Sequence, residues 1–482
     1  MADFDALIIG GGLGGLSCGI ALARAGRKVC VLESGQVVGG YAANFVRGPY
    51  RFDASLHMLD AVEPGCPNRP VWEQLGLHER VPTVAPPLLR REFWPHHDLS
   101  IPQGIDAWVG ALAEVFPAER DGLQRVANLA VQVHAAVMAD RDARLAGTAP
   151  PPLSSPMAEL LDVTAGPVLR RHLSEPQLIS IAGSLSCYLG LGCDELAAIP
   201  FFTMLASYHR YSGSCPVGGS GAIAAALADE LQAAGGEVRL GSAVAGISCE
   251  RRAVRGVTLE TGERLDAPIV VSNISPLDTY QRLLAVGQVD RRFNNRLARM
   301  RLGTSVVKVW IGLPRPVRDD LPYESFLRTK YGTTFCDGTL EDIGVVAPAN
   351  LDPTCAPAGG AVISITAGAE ATLADADQDR YAALADEAVR QVDQRLIPGL
   401  IDDAEVRVTA TPRTFHAYTR NPGGTIHGFR PIPSQSGPRR LGVTGPIGGL
   451  YHVGGWTYAG SGFLPAMTSG LIAAATIEGG LD

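Results

Sequence analysis

The sequence predicts an α/β protein built on a Rossmann-type dinucleotide-binding domain that is assembled from three separated segments, with an α+β domain inserted in the gaps. Three observations predict it. A strand, glycine turn, helix, strand and terminal acid follow one another from Phe4 to Glu33. A helix-then-strand unit of the same style returns after residue 213, and a strand, glycine loop and helix close the chain in "GGLYHVGGWTYAGSGFLPAMTSGLIAA". Between these pieces the dinucleotide pattern is absent.

The opening stretch "ALIIGGGLGGLSCGIALARAG" has no charged side chain from Ala6 until Arg24. Its length admits a short membrane span. Its glycines argue against a continuous helix, at a cost of about 1 kcal/mol each in a helix interior. A secretion signal wants Lys or Arg ahead of the apolar run, whereas Asp3 and Asp5 stand there. The reading with a mechanism is strand, tight turn and helix, in which Gly10, Gly12 and Gly15, with Gly14 between them, spell G-x-G-x-x-G. The first glycine permits the turn, the second lets backbone approach a pyrophosphate, and the third lets helix pack on strand. The phosphates then meet the free amides and positive dipole end of the helix. A second strand, "KVCVLE", ends in Glu33, where an acid is expected to bind a ribose diol, with Ser34 next to it.

The organisation read from the chain assigns 1–70, 213–280 and 436–482 to the dinucleotide domain, and 71–212 and 281–435 to the inserted substrate domain. The insert contains helical patterns such as "QRVANLAVQVHAAVMA", with Val126, Leu129, Ala130, Val133 and Val137 on one stripe, and a proline-rich break, "GTAPPPLSSP". In the middle piece Gly219, Gly221 and Ala224 imitate a second nucleotide turn. No apolar strand is read before them in "RYSGSCP", and no acid ends the strand after the helix, so one nucleotide site is expected. The next stretch, beginning at Ala243 and Val244, alternates as a small β-meander and ends in a buried strand, "IVVSN".

The chain has 482 residues and a net charge of −8, which argues against a general nucleic-acid binder. Nine scattered cysteines without a C-x-x-C pair read as reduced thiols of a cytoplasmic protein. Ten histidines show no metal-ligand spacing, so no metal is expected.

Taken with the residues already quoted, the three-piece arrangement resembles the FAD-dependent carotenoid (phytoene) desaturase and carotenoid isomerase family, in its isomerase- and retinol-saturase-like branch. It resembles the monoamine oxidases more distantly. "VVGG" matches the flavoprotein pattern. "YRFDASLHML" looks like the family's FD-x-G-x-H segment, and "CPVGGSGAIAAAL" is similar to its Y-P-V-G-G stretch. "GVTLETGERLDAPIVVSN", "TRNPGGTIHGF" and the closing segment match later signatures. The resemblance implies a glutathione-reductase-like FAD domain. It also implies a long apolar conjugated polyene as substrate, carotenoid-like or polyketide-type, desaturated or cis–trans isomerised at the flavin. Two positions depart from the family: Gly455 stands where an Asp is usual after Gly454, and Ser55 stands where glycine is usual near the flavin ring.

On this resemblance the cofactor is expected to be held by the opening turn with Glu33 and Ser34, by Gly39, Gly40, Tyr41 and Arg47, by Ser55, Leu56 and His57, by Val244, and by Gly454, Gly455, Gly462, Phe463 and Leu464. The last helix is expected to start at about Leu464 or Pro465 and to stabilise negative charge on the reduced ring. His57 either exchanges a proton beside the flavin or only shapes its loop. Trp456 and Tyr458, with Ser55, are the other candidates for contact with the reacting centre, the aromatic pair forming a wall over the ring or else packing against the flavin's ribityl side or in the core. His427 reads as structural. The alternative activity is an amine or amino-acid oxidase, which wants an aromatic cage and a lysine near the ring; Lys308 in "SVVKVWIGL" is the one to check. The arginine-rich "RRFNNRLARMRL" reads as either a solvated face or a surface for an anionic membrane or an acidic carrier protein delivering the substrate, which would place a cytoplasmic protein at the membrane periphery.

Overall fold

The computed structural model describes residues 2–211, 213–318, 320–332 and 340–479. Cys336 and the segment ends at 1, 212 and 482 named above lie outside the described residues.

Five short parallel strands form the first sheet. In spatial order they are Glu237–Arg239, Val29–Leu32, Ala6–Ile9, Ile269–Ser272 and Leu450–His452. Ala6–Ile9 and Val29–Leu32 are buried at every position, as a parallel sheet covered on both faces requires. The sheet thus draws strands from the opening, middle and closing thirds of the chain. Helix Leu13–Arg24 lies against both Ser220–Ala233 and Phe463–Gly479. Gly10 adopts φ +95°, a backbone conformation open to glycine, and turns the chain from strand to helix. Where the last helix crosses the first, a Cβ on Gly470 would stand 2.3 Å from the Gly14 carbonyl oxygen. The first and last helices therefore touch backbone to backbone.

The meander Val244–Glu250, Ala253–Leu259 and Arg264–Asp266 follows the middle piece. "GSCP" differs from its reading as non-strand: Gly213–Pro216 is a buried strand, antiparallel to Leu59–Asp60 and Thr83–Val84. It lies outside the parallel sheet. The first amides of the following helix are taken internally, Ser220 N–H by Asp53 Oδ2 at 2.6 Å and Gly221 N–H by Asn44 Oδ1 at 3.2 Å. The imitation turn therefore has its donors filled by side chains.

The inserted region builds a seven-stranded mixed sheet in the order Val406–Ala410, Ser305–Leu313, Ala361–Ala369, Asp342–Val346, Glu324–Arg328, Arg90–Phe93 and Asp98–Ile101. Its strands come from both gaps, joined by parallel pairing of Arg90–Phe93 with Glu324–Arg328. The 26-residue helix Arg120–Leu145 buries Val126, Ala130 and Val133 and packs Leu129 and Val137 against the same core. The described cysteines are free thiols.

Replacing Gly470 by Val is expected to force the first and last helices apart and lower stability by about 1–3 kcal/mol. Gly110→Ala, whose Cβ meets nothing within 4 Å in helix Ile105–Val115, is expected to leave stability unchanged or raise it by up to about 1 kcal/mol. Denaturant melts of the two variants check both signs.

Candidate active site

A cavity of about 1290 Å³ runs from the opening glycine turn to the inserted sheet. Ligand sites typically measure about 300–1,000 Å³, so this one has room for a dinucleotide and a second ligand.

At its nucleotide end, the turn is built for close approach. A Cβ on Gly12 would meet Asn273 Nδ2 at 2.7 Å, and one on Gly14 would meet Gly454 N at 2.7 Å. Asn273, at the end of "IVVSN", donates to the Gly10 carbonyl at 3.2 Å and ties the opening turn to the middle segment. Glu33 Oε2 accepts the Gly11 amide at 2.8 Å and Oε1 accepts the Gly35 amide at 2.6 Å, which fixes the carboxylate at the strand end. Glu33, Ser34 and, across from them, Val244 line the cavity. Gly39 donates to Gly11 O at 2.8 Å and brings Gly39, Gly40 and Tyr41 to the same wall.

Farther along, Asp53 Oδ1 accepts the amides of Ser55 and Leu56 at 3.0 and 2.8 Å, while Ser55 Oγ donates to Tyr41 O at 2.8 Å. Ser55 and Leu56 line the cavity, but the Ser55 hydroxyl is bonded to backbone. Tyr41 likewise gives its hydroxyl to Thr425 O at 2.8 Å. Gly454, Gly455, Gly462, Phe463 and Leu464 form the opposite wall, and the closing helix begins at Phe463. Its first amides have no acceptor within the helix. Gly455 has room for a side chain: its Cβ would meet Ser461 Cα at 3.4 Å. Beside it, buried Arg440 donates to Gly455 O at 2.7 Å and His427 O at 2.9 Å; burial holds its guanidinium down to about 10. His427 is held down to about 4 by burial and by Arg440.

The inserted-sheet end is polar. His57 Nδ1 lies 2.7 Å from Glu324 Oε1, and Tyr188 donates to the other oxygen of the same fully buried carboxylate. Because both neighbours of Glu324 are donors, the neutral imidazole holds its proton on Nδ1 and keeps Nε2 as an acceptor. Lys308, 2% exposed, lines the cavity on strand Ser305–Leu313; burial pushes its amine down to about 8, against the pull of Asp53 and Glu324. Among the described residues the Lys308 ammonium has no hydrogen bond or ion pair. Asp342 lines the same end, pushed up to about 6 by burial although Arg328 lies 2.9 Å away.

One expectation is corrected. Arg47 is exposed on the hairpin strand Asn44–Arg47, bonded to Val46 O and stacked on Phe45, and it does not line the cavity. Trp456 and Tyr458 both line the cavity. Trp456 packs edge-on to Phe429 in the core on one side of the parallel sheet, and Tyr458 packs in the core on the other side with Arg144 4.7 Å from its ring. Alternation along an extended segment separates residues of this spacing only when the loop departs from it, and this loop turns at Thr457, whose hydroxyl donates to Gly454 O at 2.9 Å. Sequence reasoning missed Glu324, Tyr188, Asn273 and Arg440. Asn273 was visible at the strand end; Glu324 and Tyr188 lie 267 and 131 residues beyond His57, with no local pattern linking them.

Comparison with known proteins agrees with this geometry. The family model for flavin containing amine oxidoreductases matches residues 13–478. The chain is 25% identical over 494 residues to prolycopene isomerase 1, chloroplastic, of an Oncidium hybrid cultivar, covering 98% of this chain and 83% of the relative. It is 25% identical to the neurosporene-forming phytoene desaturase of Rhodobacter capsulatus, covering 98% and 93%. Its fold is similar to that of a solved oxidoreductase from Methanosarcina mazei, with a TM-score of 0.70 at 19% identity over 97% of this chain and 99% of the other.

Since the wall at Gly455 lacks a carboxylate yet has space for one, Gly455→Asp is expected to tighten flavin binding about tenfold, through one charge-assisted hydrogen bond. Titration of flavin into the apoprotein, followed by fluorescence quenching, measures it. Unchanged or weaker binding would show that the missing acid is not what limits affinity.

Proposed function

The chain belongs to the flavin containing amine oxidoreductase family and is an FAD-dependent oxidoreductase, and within that family we propose that it desaturates or cis–trans isomerises C=C bonds of a long conjugated polyene. The observation that carries the reading is the joint match, over 98% of the chain, to a prolycopene isomerase and a phytoene desaturase. Apolar side chains of the cavity lining support it, among them Val137, Met138, Met157, Ile199 and Met204. Methionine adapts to irregular apolar ligands.

The residues that fit FAD are the Gly10–Gly15 turn, Glu33, Val244, Asn273, Gly454, Gly455 and the start of the closing helix. FAD when bound supplies two-electron exchange with the carbon framework of the substrate. The chain supplies position and charge. The helix start and Arg440 favour negative charge on whatever they face. Tyr188, set between His57, Tyr208 and Phe326 at ring distances of 5.4, 5.2 and 5.8 Å, walls the inserted-sheet end from water. In desaturation, where the substrate loses a hydride and a proton, His57 Nε2 takes the proton; cis–trans isomerisation leaves the proton count unchanged. Glu324 holds that ring in the tautomer the task needs, so Glu324→Gln is expected to lower kcat about 10- to 100-fold and to move the pH profile.

A second reading, an amine oxidase, is favoured by one observation: Lys308 lines the cavity, and among the described residues its ammonium has no hydrogen bond or ion pair. Anaerobic mixing with polyenes and with primary amines separates the readings. Flavin bleaching with one C=C gained means a desaturase. Altered geometry at constant double-bond count, seen only with reduced flavin, means an isomerase. Bleaching by amines alone overturns the polyene reading, and a protein whose flavin neither class reduces or reoxidises is a binding scaffold.

The Lys308 amine predicts a pH effect of definite sign. Its pKa is lowered in the fold from 10.5 to about 8, so between those values the unfolded chain binds the extra proton. Raising pH through that window therefore favours the folded state, by up to an amount on the order of 3 kcal/mol. Lys308→Met is expected to abolish this rise, as read from melts across that range.

A further inference from the structure

Helix Arg291–Ala298 turns its apolar residues inward. Leu297 is buried, Phe293 meets Tyr280 edge-on at 4.7 Å, and Met300 packs into the same core. The apolar stripe legible in the sequence is therefore used by the protein's own interior. What faces out is Arg291, Arg292, Arg296 and Arg299, all exposed. With Arg439 they line a groove of about 670 Å³ that contains no carboxylate.

Among the described residues none of these four arginines makes an ion pair, whereas neighbouring Arg439 is held by Asp162 and Arg301 by Glu195. Like charges at helical spacing repel one another unless an anion sits among them. Planar guanidinium groups match the oxygens of a phosphate two at a time. The groove also adjoins the rim of the large cavity. Arg296 donates to Arg439 O at 2.9 Å, Arg439 donates to Leu161 O at 3.2 Å, and Leu161 and Pro438 line that cavity.

We propose that the arginine groove is a binding site for a phosphate-bearing group held at the rim of the cavity. A bilayer-inserting role does not suit this helix, because its apolar face is spent on the protein's own core. The phosphate belongs to a soluble molecule or to a lipid headgroup, and both offer the same chemistry. The inference is independent of the polyene reading, and either can fail alone.

The test titrates sodium pyrophosphate into the flavin-loaded full chain at low ionic strength by calorimetry, beside sedimentation with phosphatidylglycerol and phosphatidylcholine vesicles. Pyrophosphate is expected to bind, and Arg292→Gln/Arg296→Gln to weaken binding at least about tenfold with flavin content and melting temperature unchanged. Arg299→Gln alone, a milder change, is expected to weaken it in the same direction. Pyrophosphate binding without sedimentation identifies a soluble source. Sedimentation with phosphatidylglycerol only, abolished in the double variant, identifies a lipid phosphate. The proposal is overturned if neither probe binds, if both arginine variants bind like the parent, or if polyglutamate, which offers carboxylates alone, binds as tightly as pyrophosphate.

Discussion

Everything about this site depends on backbone being allowed to approach backbone. Gly14 packs backbone to backbone on Gly454 and Gly470, with the Asn273 side chain beside it bonded to Gly10 O. A methyl group at any of these contacts would stand well inside van der Waals distance. The glycine-rich turn is usually explained by the phosphates it admits. Here it has a second duty, because the first and last helices use the same absence of Cβ atoms to lie against each other. Cofactor site and domain closure are one constraint expressed twice.

The opening unit was legible because its signals are local: an apolar strand, a turn only glycine can take, a helix and an acid at a set distance all fall within thirty-three residues. The three-piece sheet was legible for the same reason, each piece carrying its own strand and helix. The inserted-sheet end of the cavity was not. His57, Tyr188 and Glu324 meet only because two gaps in the sequence share one sheet, and strand order in a mixed sheet has no signature in any one strand. Arg47 misled because proximity along the chain stood in for direction, which the hairpin decides.

The polar end is unusual in the amount of charge it buries. Arg90 and Glu92 pair at 2.6 Å, with Ser184 and Trp94 donating to the same carboxylate at 2.8 and 3.0 Å. Arg328 bridges to Asp342 and to the Ser184 carbonyl. Buried ion pairs contribute little net stability, since desolvation offsets most of their attraction. Their effect here is positional. Arg328–Asp342 joins two neighbouring strands, Ser184 links the Arg90–Glu92 strand to Arg328, and Glu324 stands on the strand between, so His57 is aimed by a rigid frame.

The parallel sheet also sets the order in which a newly made chain can become itself. Its central strand, Ala6–Ile9, emerges from the ribosome first, but its neighbour Ile269–Ser272 is more than 250 residues away and the edge strand Leu450–His452 comes almost last. Pairing at such separation is slow, and the unpaired strands are sticky while they wait. A nascent chain therefore has its nucleotide turn early and its finished cradle only after the final helix is translated, which makes the flavin a ligand of the completed polypeptide and a poor template for its early folding.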